Sequence, residues 1–141
     1  MAKNDITKVY DFLKEAKTYY LATVDGEQPR VRPFGTILLY EDRLYILTSK
    51  TKNVSKQIAT NSKFELSAMD ARGRWIRVQG NLVEDNRKEV HIAMLEDYPH
   101  LKSTYSAGGD NTHTLYLNNV AATIYSFEEE TEVFKVLCRI T

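Results

Sequence analysis

Hydroxyl and lysine side chains are concentrated at the point where a short apolar run gives way to a helical pattern. The run occupies residues 44–47, and the helical pattern begins near Asn53. The polar residues of this junction are Thr48, Ser49, Lys50, Thr51, Lys52 and Lys56. A helix N-terminus carries unpaired N–H groups and a positive dipole end, so such neighbours favour binding of an anion, most naturally a phosphate. A solvated, lysine-rich loop is the simpler alternative.

A second group of ligand-type residues lies on a predicted strand over residues 28–39. Alternation along this strand places Arg30, Arg32 and Phe34 on one face. Guanidinium groups bind phosphate and stack on rings, so this face can hold an anionic, planar ligand. Pro33 has no N–H to donate, which predicts an edge strand, a bulge or a backbone left open on one side. A solvent-facing barrel edge is the alternative.

The single tryptophan lies on the polar face of another predicted strand, residues 74–83. Trp75 alternates with Ile76 and Val78 and shares its face with Arg77 and other polar residues. An exposed tryptophan of this kind is expected to be covered by a ligand or by a partner chain. Packing of Trp75 against a loop of its own chain is the alternative.

The other chemically versatile residues form no recognisable catalytic or metal-binding motif. His91, His100 and His113 are not spaced as metal ligands, and His91 is expected on the surface of a helix. Cys138 has no second cysteine to pair with and is expected to pack rather than react. No general base is evident, so we expect no metal and a reactive group that comes from a bound cofactor.

The composition is that of a globular protein. The 141 residues suit one domain, residues 1–141, and the formal net charge of zero gives no electrostatic drive toward nucleic acid. The longest apolar runs are too short to span a membrane, and the first residues do not resemble a signal peptide. With a single cysteine, these features predict a cytoplasmic protein.

The elements that must position these residues are mostly strands. The pattern predicts about six strands in meander order with helices as inserts, which favours a mainly β fold, a small antiparallel barrel. A helix starts near Asp5, and a hairpin turn is predicted at Asp25-Gly26. A further helix covers residues 86–97, and a bulge is expected at Asn118-Asn119. Strands are predicted over residues 18–24, 28–39, 44–48, 63–69, 74–83, 114–127 and 133–137.

Several segments, taken in order, resemble the pyridoxamine 5'-phosphate oxidase-like family of FMN-binding split barrels. The resemblance covers about residues 5 to 127, and its motifs are PRVRPFG, LYILTSKTKNVSKQIATN, RWIRVQGNLVED, MLEDYPHLKSTY and ATIYSF. It implies an antiparallel split barrel that forms a homodimer. It also implies two FMN sites at the dimer interface, each shared between both chains.

The resemblance also implies roles for individual residues. Arg32, Pro33 and Phe34 match the strand that runs along the isoalloxazine ring, and Thr48 and Ser49 match the strand end beside the ring and ribityl chain. The phosphate-binding region and the position from which the second chain reaches the flavin are matched by Lys52, Asn53, Lys56 and Trp75.

The chain departs from the true oxidase at the helix start. The family's Arg-Lys pair is replaced by Asn53 and Val54, and a C-terminal arginine segment that binds substrate is missing. The sequence therefore predicts an FMN-dependent oxidoreductase that acts on a small molecule other than pyridoxamine phosphate. The alternatives are a deazaflavin F420-dependent reductase, a flavin- or haem-binding carrier or sensor, and a barrel that works as an interaction module.

Overall fold

The computed structural model describes residues 3–127 and 132–136. The three α-helices are α1 (Lys3–Ala16), α2 (Asn53–Thr60) and α3 (Lys88–Asp97), and α3 is followed by a 3₁₀ helix, Pro99–Ser103. The strands are β1 (Tyr19–Asp25), β2 (Gln28–Phe34), β3 (Leu38–Tyr40), β4 (Arg43–Ser49), β5 (Lys63–Met69), β6 (Trp75–Glu84), β7 (Thr112–Tyr125) and β8 (Glu132–Val136). None of the described helices is both long enough and apolar enough to cross a membrane.

All strand pairs are antiparallel, and the strand order is β2-β1-β5-β6-β7-β4-β3, with β8 paired to β7. This confirms the prediction of a mainly β, antiparallel fold with helical inserts. The sheet curls around a core that holds the inward faces of its strands, and α1 contributes Val9 and Leu13 to that core. A second, smaller core lies between α3 and the other face of β4, where Met94 packs with Tyr45.

The predicted strand 28–39 was wrong, because the chain leaves the sheet after Phe34. β2 and β3 lie at opposite ends of the strand order. The connection between them is fixed by side chains: the Tyr19 hydroxyl donates to the Thr36 carbonyl at 2.6 Å, and the Tyr98 hydroxyl accepts from the Ile37 N–H at 3.0 Å. The break falls at Gly35-Thr36, and these distant contacts hold the connecting segment away from the ladder.

Two smaller features concern the turns. The first hairpin turns at Gly26-Glu27 rather than at Asp25-Gly26, since Asp25 still pairs with Gln28. The bulge predicted at Asn118-Asn119 is confirmed by a shift in the β6–β7 register between Gln79 and Asn81. Gly80 is required opposite this bulge, because a Cβ there would collide with the Asn118 carbonyl oxygen.

Candidate functional site

An open cleft of about 1180 Å³ lies between the edge strand β2 and helix α2. Among the described residues, its lining contains four basic side chains and one acidic side chain, namely Arg30, Arg32, Lys52, Lys56 and Asp25. Phe34, Pro33, Asn53 and Gln57 also line it. The fold therefore brings together Arg30 and six of the nine residues to which the resemblance gave a cofactor role: Arg32, Pro33, Phe34, Lys52, Asn53 and Lys56.

Arg32 crosses from β2 to α2 along the wall of the cleft. Its Nη1 donates to the Thr23 hydroxyl at 2.7 Å, and its Nη2 donates to Oε1 of Gln57 at 2.7 Å. Among the described residues, no carboxylate lies within ion-pair distance of this guanidinium, whereas Arg30 pairs with Asp25 at 3.4 Å. Burial lowers the pKa of Arg32, but a guanidinium remains charged at neutral pH. A half-buried cation held only by neutral groups favours an anionic ligand.

The N-terminus of α2 also faces this cleft. Lys52 is its N-cap residue and makes no capping hydrogen bond through its side chain. The first turn of a helix has N–H groups without intrahelical acceptors, and these attract anions. Lys52 and Lys56 are both exposed here, so the positive dipole end and two ammonium groups lie on the same side of the cleft.

Phe34 supplies an aromatic surface at the far end of β2. Its ring is half-buried and lies 6.0 Å from the ring of Tyr19. Arg30, Arg32 and Phe34 pair with Thr23, Leu21 and Tyr19 of β1 and share the inner face of the strand, as the alternation predicted. The prediction that β2 is an edge strand is also confirmed, since it pairs only with β1 among the described strands.

Thr48 and Ser49 are buried at the end of β4, and neither lines the cleft. Ser49 Oγ contacts Oδ1 of Asn111 at 2.6 Å and the Thr51 hydroxyl at 2.9 Å. Thr48 Oγ1 is buried and has no hydrogen-bond partner in the described part of the chain. A contact of these two residues with a cofactor stays a prediction.

Trp75 lies on the outer face of the sheet, away from the residues that line the cleft. It stacks on its cross-strand neighbour Tyr125, with ring centroids 4.0 Å apart and an interplanar angle of 15°. This contact leaves Trp75 half-buried within its own chain. A cofactor contact of Trp75 would therefore have to be made across an interface with a second chain.

A hydrogen-bonded series of Ser55, His113 and Glu84 lies behind the first turn of α2, and the sequence did not indicate it. The Ser55 hydroxyl is 2.7 Å from Nδ1 of His113, and Nε2 of His113 is 2.8 Å from Oε2 of Glu84. Burial lowers the pKa of His113, while the Glu84 carboxylate acts in the opposite direction. The three residues come from α2, β7 and β6, so no local sequence motif predicts their contact.

His91 was predicted on the surface of a helix, which is wrong. It is 2% exposed, and its Nδ1 accepts from the N–H of Gly108 at 2.9 Å. Nε2 is therefore the protonated nitrogen and faces Oδ1 of Asn86 at 3.3 Å. The loop that contains Gly108 covers this side of α3, and burial lowers the pKa of His91.

Comparison with known proteins agrees with this geometry. The family model described as pyridoxamine 5'-phosphate oxidase matches residues 6–118, which is most of the chain. The chain belongs to the pyridoxamine 5'-phosphate oxidase-like family. The matched region contains the whole cleft between β2 and α2, so the cleft is part of the family's domain rather than an addition to it.

Solved structures give the same result. A NimC/NimA family protein from Clostridium acetobutylicum is 42% identical, with a TM-score of 0.92 over 95% of this chain and 94% of that one. A pyridoxamine 5'-phosphate oxidase-related, FMN-binding protein from Nostoc punctiforme shares the fold at 15% identity, with a TM-score of 0.59 and 94% of each chain covered. A haem-binding protein from Mycobacterium smegmatis shares it at 10% identity, with a TM-score of 0.74 over 96% of this chain and 58% of that one. No curated protein sequence matches the chain.

These neighbours confirm the split-barrel fold of the pyridoxamine 5'-phosphate oxidase-like family. The two distant neighbours support the fold alone, because their identity to this chain is low. In this chain the cleft contains Asn53 and Val54 at the helix start, with Arg32 and Lys52 nearby.

Proposed function

We propose that this chain binds FMN in the cleft between β2 and α2 and uses it as a redox cofactor. The observation that carries this proposal is Arg32, a half-buried cation with neutral hydrogen-bond partners, in a cleft that also contains Lys52 and Lys56. A dianionic phosphate suits such a cleft, because charge-assisted hydrogen bonds to phosphate are strong. The N-terminus of α2 adds to the same attraction.

The residues present fit the parts of FMN. The phosphate would be held by the first turn of α2 with Lys52 and Lys56, and this replaces the family's Arg-Lys pair. Phe34 and the open edge of β2 offer a flat surface and free backbone groups for the ring system. When bound, FMN supplies hydride and electron transfer, and the chain orients it and shields it from water.

A second copy of the chain would complete the site. Tyr20, Val31, Met69 and Val133 are more than half exposed, and strand alternation places all four on the outer face of the sheet, which also carries Trp75. Exposed apolar side chains on one face of a sheet, beside a half-buried tryptophan, favour a protein interface there. We infer a homodimer formed through this face, in which Trp75 of one chain approaches the cleft of the other.

The proposal is tested by adding FMN to the purified protein. We expect a shifted flavin absorption spectrum, quenched flavin fluorescence and a dissociation constant in the micromolar range or below. Riboflavin is the matched control, because it has the same ring and ribityl chain without the phosphate. Absence of any spectral change at micromolar FMN contradicts the proposal. Displacement of FMN by deazaflavin F420 would instead favour the F420-dependent alternative.

Turnover separates an enzyme from a carrier. Steady oxidation of NAD(P)H by the FMN-loaded protein with an added acceptor supports an oxidoreductase, and binding without turnover supports a carrier or sensor.

Haem suits this cleft less well than flavin. None of the described residues that line it is a histidine, cysteine, methionine or tyrosine, the usual axial ligands. The substrate is proposed only as a small molecule, and a cytoplasmic location stays a prediction.

A further inference from the structure

Three polar residues behind the cleft have too few donor protons to satisfy all of their contacts while the His113 ring is neutral. The Ser55 hydroxyl lies 2.7 Å from Nδ1 of His113 and 2.8 Å from the Ser49 carbonyl oxygen. On the other side of the ring, Nε2 of His113 lies 2.8 Å from Oε2 of Glu84. A carbonyl and a carboxylate can only accept, so His113 and Ser55 must provide every donor in this series.

A neutral His113 ring cannot satisfy all three contacts. If the ring proton is on Nε2, Nε2 donates to Glu84. The Ser55 hydroxyl must then donate to Nδ1, and the Ser49 carbonyl receives no hydrogen bond from Ser55. If the proton is on Nδ1, Ser55 serves Ser49, but a bare Nε2 faces the Glu84 carboxylate. All three contacts are satisfied together only when the His113–Glu84 pair holds one more proton, with Nδ1 protonated.

This series is linked to the anion site through the start of α2. Ser55 lies in the first turn of the helix, between Val54 and Lys56, which line the cleft. The Ser49 carbonyl that accepts from Ser55 also accepts from the N–H of Lys52 at 3.2 Å. The same turn therefore positions Lys52 on one side and is held by the His113 series on the other.

We propose that the Glu84–His113–Ser55 series takes up one proton when an anion binds in the cleft, so that the anion affinity of the cleft rises as the pH falls. This rests on the proposed function, because it requires that the cleft binds a phosphate. A bound anion adds a negative charge in the cleft, near the helix start. This charge favours the protonated form of the His113 ring behind that helix start.

The charged groups around His113 are consistent with this. Glu84 favours the protonated ring, whereas Lys50 disfavours it. A protonated His113 in turn lowers the pKa of the neighbouring His91. Burial acts in the same direction as Lys50 and lowers the pKa of His113 below its ordinary value. Near neutral pH the empty protein therefore holds a neutral ring and one unsatisfied contact, and anion binding shifts this balance toward the protonated ring.

The direct test is NMR of the imidazole nitrogens in ¹⁵N-labelled protein, titrated from pH 8 to pH 5 with and without saturating FMN. We expect FMN to raise the midpoint for protonation of His113 Nδ1 by about one pH unit, equivalent to about a tenfold gain in FMN affinity across the window. His100 is the internal control, because it is exposed and outside the series. An unchanged His113 midpoint overturns the inference.

A variant separates this linkage from the titration of the FMN phosphate itself. Glu84→Gln keeps the fold, since this side chain is 62% exposed, and its amide can donate to Nε2 and satisfy the series without an extra proton. From pH 8 to pH 5.5 the FMN affinity of the native protein should rise about tenfold relative to Glu84→Gln. Glu89→Gln, another exposed glutamate change, should follow the native protein.

The outcomes distinguish the two proposals. If FMN binds but the ratio of affinities between the native protein and Glu84→Gln stays constant with pH, the proton linkage is wrong and the FMN site stands. If FMN binds neither protein, both the proposed function and this inference are overturned.

Discussion

Nη2 of Arg32 lies 2.7 Å from Oε1 of Gln57, and this contact joins the edge strand β2 to helix α2 along the wall of the cleft. The same Gln57 oxygen accepts from the Thr23 hydroxyl at 2.6 Å. Thr23 therefore accepts from Arg32 and donates to Gln57, so the three side chains form a closed ring in which two neutral groups accept from one cation. Such an arrangement fixes the direction of the guanidinium without neutralising its charge.

The first prediction concerns this cation. Arg32→Met should weaken FMN binding by about ten- to hundredfold, because a charge-assisted contact to phosphate is typically worth about 1.5–3 kcal/mol. The free energy of unfolding should change by less than about 1 kcal/mol, because the bond between Thr23 and Gln57 remains. Isothermal calorimetry and chemical denaturation measure the two effects.

Arg30→Met is the matched control for Arg32→Met. Arg30 lines the same cleft but is exposed and paired with Asp25, so its replacement should weaken FMN binding only about threefold or less. If both substitutions weaken binding equally, Arg32 is not the central cation of the site.

The second prediction concerns the phosphate. Lys52→Ala and Lys56→Ala should each weaken FMN binding by up to about tenfold while leaving riboflavin binding nearly unchanged, since riboflavin has no phosphate. Lys50→Ala is the control, because Lys50 does not line the cleft. Fluorescence titrations with both flavins give the ratio of affinities. If none of the three substitutions changes this ratio, the lysines do not contact the phosphate, and Arg32 remains as the cation that does.

Much of the fold was predictable because it follows from local patterns. Period-two alternation located the strands, and the polar residues from Thr48 to Lys56 located the junction of β4 and α2. The break after Phe34 was not predictable, because Tyr19 and Tyr98 hold the connecting segment from distant parts of the chain. Strand order is likewise a property of long-range pairing, which local alternation does not encode.

The candidate site was likewise predictable only in part. The cleft residues of β2 and α2 were found because each group is contiguous in sequence. The contact of Ser55 with His113 joins residues 58 positions apart, and that of His113 with Glu84 joins residues 29 apart. Nothing local distinguishes Ser55 from other helical serines. His91 was misplaced for a related reason, because the loop that covers it begins 15 residues later along the chain, at Ser106.

The third prediction concerns the oligomeric state. Met69→Asp should convert a homodimer to a monomer, because a charge buried in an apolar interface without a partner is costly. Met69 is 61% exposed on the outer face of the sheet, so the substitution leaves the fold of one chain intact. Ile92→Asp is the control: Ile92 is an exposed apolar residue of α3, outside that face. Light scattering at micromolar concentration distinguishes the masses, and a monomeric native protein would contradict the homodimer.

The fourth prediction concerns stability in acid. Burial lowers the pKa of His91 and of His113 below that of an unfolded histidine, which is about 6.5. Between the lowered folded values and about pH 6.5 the unfolded chain binds more protons, so the free energy of unfolding decreases as the pH falls through that window. Above about pH 6.5 the two neutral histidines make their full contribution to the free energy of unfolding.

His91→Gln isolates one of these two groups. The substitution should make the free energy of unfolding depend less steeply on pH below about 6.5, because only His113 then contributes. Its effect at pH 8 reports instead the loss of the bond from the Gly108 N–H, which we expect to cost about 1–3 kcal/mol. Urea denaturation at several pH values measures both quantities. His100→Gln, a change at an exposed histidine, should keep the native pH dependence, and an equal flattening in both variants would show that buried His91 is not its source.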